Sequence, residues 1–437
     1  MLTNPPPIRR RRRTLIALGA LSAALALTAT LFTAVTSQAQ VETQSVLVVD
    51  AGSPIRPVSQ VGNGMLYGLA DAETPPLDLL LPLNLNTLRQ PPPNHEHIPN
   101  GETEPVGDTL DVAGNAMAAG ADITVDMADS LNGFPYDWQG WDDWLGRVDR
   151  MIADLQARPD ITNVTAWEIW NEPDWTWHSS AGDFNDGWDR TYERIRASDA
   201  TTPIMGPSIT HYNEAWLRDF LTSAKDSGTL PQVISWHELS GWQGVEQHIS
   251  DYRDLERELG IEPLPISLNE YAAPEEIDVP STVNHYIAQF ERAGVRDAQR
   301  TFWFEAGTLN GLVHDNQPTA SYWMYQWYGE QSGDIVDVVP TTYNDAVASY
   351  DADAEEVSIV FAGEAGDNTV QVDGLEALGS TVTATLEYVP GSGRTTPVDG
   401  ASHVWTQDFS VSGGSVSIPV DDQDHLGAYR LVINPAG

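Results

Sequence analysis

The stretch Trp167-Glu168-Ile169-Trp170-Asn171-Glu172-Pro173 is an aromatic, strand-like run that delivers an Asn-Glu pair and is stopped at once by proline. Proline cannot extend a central strand and restricts the residue before it, so Glu172 falls where a strand gives way to a loop. Seven further runs of strand character accompany it, and the eight cover 61–66, 84–89, 122–127, 165–170, 203–208, 232–237, 264–269 and 300–305. From the fifth run onward the starts are 29, 32 and 36 residues apart, the spacing of βαβ units. Amphipathic stretches fill the gaps. Val245, Ile249, Tyr252, Leu255 and Leu259 share one helical face that Gly260 closes, and Val283, Tyr286, Ile287 and Phe290 form another that ends near Gly294. Trp141, Trp144, Leu145, Val148, Ile152 and Leu155 mark the helix feeding the fourth strand. Strand alternating with helix in this way predicts an α/β fold, a (β/α)8 TIM barrel, in which Glu172 closes the fourth strand at the end where such barrels carry their chemistry.

Beyond about residue 339 the pattern changes to short alternating strands such as Val357-Ser358-Ile359-Val360-Phe361, separated by Gly, Asp, Asn and Ser turns. The predicted organisation is an export signal at 1–39, a catalytic barrel at 45–338 and a C-terminal β-sandwich at 339–437. The early strand at 45–50 is free to join the sandwich and tie the two parts together.

Arg9 to Arg13 precede an apolar run, 15–34, and the small residues Ser37 and Ala39, which reads as an export signal cut after Ala39. The Arg12-Arg13-Thr14-Leu15-Ile16 segment resembles a twin-arginine signal. The bland alternative is an uncleaved membrane anchor. Either way the remainder of the chain is expected to face outside, and the expected location is secreted or extracellular if the signal is cut. Removing the signal takes five arginines and no acids, moving the net charge from −41 to −46. Such a surface repels nucleic acid and anionic membranes, and Lys225 is the only lysine in 437 residues. With no cysteine, disulfides and thiolate metal sites are impossible.

Hydrolysis of a glycosidic bond needs one protonated and one ionised carboxyl on opposite sides of the anomeric carbon. Glu172 ends the fourth strand and Glu270 ends the seventh in Pro265-Ile266-Ser267-Leu268-Asn269-Glu270-Tyr271, so both reach the barrel mouth. At these residues the chain resembles the retaining glycoside hydrolases of clan A, with a barrel and β-sandwich similar to glycoside hydrolase family 39 and its relatives. The resemblance implies Glu172 as acid/base, Glu270 as nucleophile and Asn171 as a donor to the sugar 2-hydroxyl. It also implies that Trp303, in Thr301-Phe302-Trp303-Phe304-Glu305, floors the sugar site.

Other candidates follow from their positions. Arg89 closes the second strand, where it can hold a nucleophilic carboxylate ionised. His237 can hydrogen-bond a glutamate or a sugar hydroxyl, with a satisfied core histidine as the competing reading. Trp175 and Trp177 follow Glu172 in a loop and offer stacking surfaces for a leaving group. His95-Glu96-His97 lacks the spacing of a zinc helix, and no metal is expected there; His95 is instead placed in a polar pocket wall with Arg89, where with His97 it could create a positive pocket for a uronic acid. Glu238 is the rival nucleophile, Glu305 reads as a ligand-orienting or buried paired acid, and Asp351, Asp353 and Glu355 read as solvated turn acids. The expected function is that of a secreted, exo-acting retaining glycosidase on β-linked sugars, with a carbohydrate partner and no cofactor. The competing readings are an endo-acting hydrolase of the same clan, a non-catalytic carbohydrate-binding barrel and a metal-dependent barrel hydrolase.

Overall fold

The computed structural model describes residues 46–99, 102–302 and 305–437. The export-signal segment lies outside them. Among the described residues no helix is long and apolar enough to cross a membrane.

Eight parallel strands close a barrel: Gly64–Leu66, Thr87–Gln90, Asp122–Asp126, Val164–Glu168, Ile204–Ile209, Val233–Glu238, Ile266–Tyr271 and Asp297–Arg300. Closure is made by the first and last, with Gly64 opposite Gln299 and Met65 opposite Arg300. Amphipathic helices pack outside, and the two expected glycine stops hold: Gly260 and Gly294 both turn left-handed, at φ 62° and 68°. The buried indoles of Trp144, Trp167, Trp170, Trp188 and Trp236 fill the space between strands and helices. Their N–H groups find acceptors there, as in Trp144 Nε1 to Thr191 Oγ1 at 3.0 Å and Trp188 Nε1 to Thr229 O at 2.9 Å.

The eighth strand is displaced from its expected position at 300–305. It occupies Asp297–Arg300, whose polar sequence does not read as a strand. Asp297 Oδ1 accepts from Ser267 and Gln299, and Arg296 lies 3.1 Å from the other oxygen, which lets an acid stand where apolar residues are the rule. Thr301 and Phe302, which follow the strand, line the mouth. The fourth strand is likewise shorter than expected, ending at Glu168 and not at Trp170.

Nine strands form the second part, in one hydrogen-bonded sheet whose inner side chains share a single apolar core. One face of a sheet this wide can meet itself only if the sheet folds over, giving a sandwich. Val46–Pro57 runs antiparallel to Asp334–Val339 and parallel to Gly366–Asp373, so the N-terminal strand sits within the sheet, and the sheet already includes residues 334–339. Barrel and sheet form one compact unit, residues 44–437. Arg292 clamps Asp345 at 2.7 and 2.8 Å, and Trp323 Nε1 donates to Val398 O at 2.7 Å.

Candidate active site

From Glu168 the chain runs over the barrel mouth to Glu172, which adopts a left-handed conformation at φ 53° and precedes the short helix Pro173–Thr176. A non-glycine residue in that region is strained and must be held by its surroundings. The Glu172 N–H donates to Ser208 O at 2.8 Å. The Thr176 hydroxyl lies 2.6 Å from Asn171 O and 3.0 Å from Glu172 O, and accepts from Trp170 Nε1 at 2.9 Å. Proline suits the first helical position, where an N–H would have no partner. The pair Asn171-Glu172 is therefore fixed on its loop from both sides.

Arg89 is fully buried and organises the floor. Its Nε and Nη2 grip both oxygens of Glu168 at 2.6 Å each, Nη2 also reaches Asp126 at 2.8 Å, and Nη1 donates to Glu270 at 2.7 Å. Nη2 further donates to Asn171 Oδ1 at 2.9 Å; since arginine only donates, this turns the Asn171 amide nitrogen away from it. Burial alone would lower the Arg89 pKa, but Glu168, Asp126 and Glu270 overcome it and raise the value well above normal. Asn269 completes the shell by donating to Glu168 at 2.9 Å and to Ser208 Oγ at 3.0 Å.

Glu172 and Glu270 meet across His237. His237 Nδ1 is 3.2 Å from Glu172 Oε1, and Nε2 is 3.7 Å from Glu270 Oε1. The ligating atoms of all three side chains lie within 4.8 Å of one another. Burial depresses the imidazole pKa, yet the two carboxylates outweigh it and the net shift is upward. For Glu270, burial pushes the pKa up, His237 and Arg89 pull it back, and Glu172 adds to the rise. Among the described residues a fixed guanidinium touches Glu270 and none touches Glu172. Two carboxylates and an imidazole this close are also a conceivable cation site, but Glu270 Oε1 already accepts from Arg89, whose fixed charge opposes a divalent ion there. The chemistry that fits is proton handling and nucleophilic attack.

Above the carboxylates opens a cavity of about 830 Å3, lined by Glu172, Glu270 and Asn171 with Tyr67, Tyr136 and Trp175 among its walls. The Tyr67 hydroxyl donates to Asp129, and that of Tyr136 donates to the other oxygen at 3.3 Å. Burial, reinforced by nearby acids, raises both phenol pKa values well above normal, which keeps them as donors. Trp175 is 58% exposed and meets Phe134 edge-on at 5.1 Å, leaving indole surface at the rim.

Glu172, Glu270, Asn171 and Trp175 thus line one cavity, with Arg89 and His237 directly behind the carboxylates. His95 is not part of this wall: its Nδ1 turns to Pro93 O at 3.0 Å, and His97, two residues on, faces the cavity 3.6 Å from Asp129. Trp177 is scaffold, packed at 4.8 Å on Trp170 and 5.1 Å on Phe184. Trp303 lies outside the described residues. Glu238 is held by Trp236 Nε1 at 2.7 Å and His248 Nδ1 at 2.9 Å, away from the cavity. Glu305 is exposed and not the buried paired acid that one reading expected, because the eighth strand ends five residues earlier. Asp351 accepts from the N–H groups of Asp353 and Ala354, the arrangement of a solvated turn.

Sequence reasoning did not single out Glu168, Asp126, Asn269 or Asp129. A signal existed for Glu168, an acid inside an apolar strand and four residues before Glu172. Asp126 carried a weaker one, as the last residue of its strand. Nothing local marks Asn269 or Asp129.

The closed barrel with a folded-over sheet beside it is a fold shared with the GH39 enzyme from Xanthomonas axonopodis pv. citri, 13% identical over 90% of this chain and 98% of that one with a TM-score of 0.65, and with the GH51 alpha-L-arabinofuranosidase from Thermotoga petrophila RKU-1, 14% identical over 89% of this chain and 99% of that one with a TM-score of 0.62. The chain belongs to one family with N2152 from Neocallimastix frontalis, to which it is 35% identical over 90% of this chain and 100% of that one, with a TM-score of 0.85. It is similar to a 3-O-beta-L-arabinopyranosyl-alpha-L-arabinofuranosidase of Bifidobacterium pseudocatenulatum, 22% identical over 85% of this chain and 46% of that protein. A 3-O-alpha-D-galactosyl-alpha-L-arabinofuranosidase of Bifidobacterium longum subsp. longum is 25% identical over 70% of this chain and 28% of its own length. The chain therefore spans about half or less of the curated relatives it matches. No family model matches it.

Proposed function

We propose that the protein is a secreted retaining glycosidase that releases terminal pentosyl residues, foremost α-L-arabinofuranosyl, from oligo- or polysaccharides. The observation that carries this reading is the approach of the Glu172 and Glu270 carboxylates to within 4.8 Å, with Arg89 on Glu270 alone. That spacing suits direct attack by one carboxylate and leaves no room for the water an inverting pair holds at roughly 6.5–9.5 Å. Glu270 attacks the anomeric carbon while Glu172 gives its proton to the departing oxygen. Water then displaces Glu270 from the sugar and leaves its proton on Glu172. Support for the sugar comes from the names of the two Bifidobacterium relatives. Support for exo action comes from a cavity of about 830 Å3, the size of a small-molecule pocket.

The test is to follow hydrolysis of an aryl α-L-arabinofuranoside and an aryl β-D-xylopyranoside by proton NMR. First-formed sugar of retained configuration is expected, and inverted product would overturn the mechanism. Glu172→Gln should slow unactivated disaccharides about 10²- to 10⁴-fold while sparing the first step on a dinitrophenyl glycoside, which needs no proton. Equal losses on both substrates would remove Glu172 from the acid role.

Because attack needs ionised Glu270 and burial raises its pKa, activity should be lost as pH falls through a value above the ordinary glutamate range of about 4.3. A kcat/KM profile whose acid limb lies at or below about 4 would contradict this.

A further inference from the structure

The cavity that accepts the substrate is charged on one side of the ledger. Glu102, Asp129 and Glu270 line it beside the proton donor Glu172, and His97 is its single basic lining residue among the described ones. The undescribed internal residues Asn100, Gly101, Trp303 and Phe304 are uncharged by type. Arg89 offsets this field only in part, because its one positive charge is shared among three bonded carboxylates, Glu168, Asp126 and Glu270. His97 in turn faces Asp129 at 3.6 Å. A buried arginine bound to several carboxylates does not present a free positive face to a ligand, and a like charge placed in such a site is rejected with no compensating pair.

Resting on the glycosidase reading above, we propose that this site is an electrostatic filter: it takes uncharged sugars and turns away those bearing a carboxylate. The natural substrate is then a neutral glycan or a neutral side-chain decoration, not a uronic-acid-rich polymer. The acidic composition already made a polyanionic substrate the lesser expectation, and the positive pocket that Arg89, His95 and His97 could have built is not assembled, since the first is bound to its acids and the second turns to Pro93 O. Glu102 is the most useful reporter. It is half-buried at the cavity wall, and it makes none of the contacts that hold Glu172 and Glu270 in place.

The experiment uses matched α-L-arabinofuranosides and β-D-xylopyranosides whose leaving group is either 4-hydroxybenzamide or the near-isosteric 4-hydroxybenzoate. At low salt the benzoate member should show a kcat/KM roughly 10- to 100-fold below its amide partner, and the gap should shrink in about 1 M NaCl. Glu102→Gln should narrow the gap and Glu102→Lys should narrow it further. Equal kcat/KM within each pair at low salt would overturn the filter. A gap that ignores both Glu102 substitutions would do so too, because it would then stem from the net charge of −41 spread over the molecule. No turnover of either member of either pair would instead bring down the glycosidase reading, and the filter with it.

Discussion

Glu270→Ala is expected to reduce kcat by at least about 10³-fold on any glycoside the protein cleaves, while leaving the fold intact. The side chain is a buried acid whose pKa burial has already raised, and its loss leaves Arg89 still paired with Glu168 and Asp126. The diagnostic result is chemical. With Glu270 absent, azide fits the vacated space and attacks from the face it occupied, so activity should return and yield a glycosyl azide of inverted configuration. In Glu172→Ala the covalent sugar on Glu270 still forms, and azide takes the place of water, giving a retained azide. NMR of the two products checks both roles at once. Near-normal turnover by Glu270→Ala, or a retained azide from it, would assign the nucleophile to another residue.

Arg89→Met should be the most destabilising single change in the barrel. It leaves Asp126, Glu168 and Glu270 facing one another without their cation, and breaking a buried pair by removing one partner costs about 3–5 kcal/mol. A domain is typically stable by only about 5–15 kcal/mol, so soluble yield should fall sharply. Arg89→Lys tests the same point in a chain that retains the charge. One ammonium cannot span both Glu168 oxygens, Asp126 and Glu270, so urea unfolding should show an intermediate loss. It should also raise the pH of the acid limb, because Glu270 loses its closest cationic donor. Stability within about 1 kcal/mol of the parent in both variants would show that the cluster is not held by Arg89.

Most of the barrel is legible in the chain because its strands are short apolar runs set off by helices with one greasy face. The exceptions are instructive. Asp297–Arg300 hides because its polar side chains find partners only in the closed barrel, as Arg300 does at Asn310 O, 3.1 Å from Nη2. Thr301 and Phe302, which begin the neighbouring aromatic run, have strand propensity but lie past the last ladder pair and line the mouth. His95 and His97 are equivalent as sequence, and the turn of one loop decides between them.

What the sequence determined by itself was local: strand–helix alternation, the proline after Glu172, and a glutamate near the end of each of two strands. Those features rest on backbone sterics and on side-chain periodicity, which act over a few residues. The tertiary structure decided which charges meet. Arg89 joins Glu168 and Glu270 across separations of 79 and 181 residues, and His237 comes between two carboxylates it does not adjoin in the chain. Such meetings depend on how eight strands tilt and close around a common axis. The charge balance of the cavity, and with it the inferred preference for neutral sugars, exists only once that closure has spent Arg89 on its three acids.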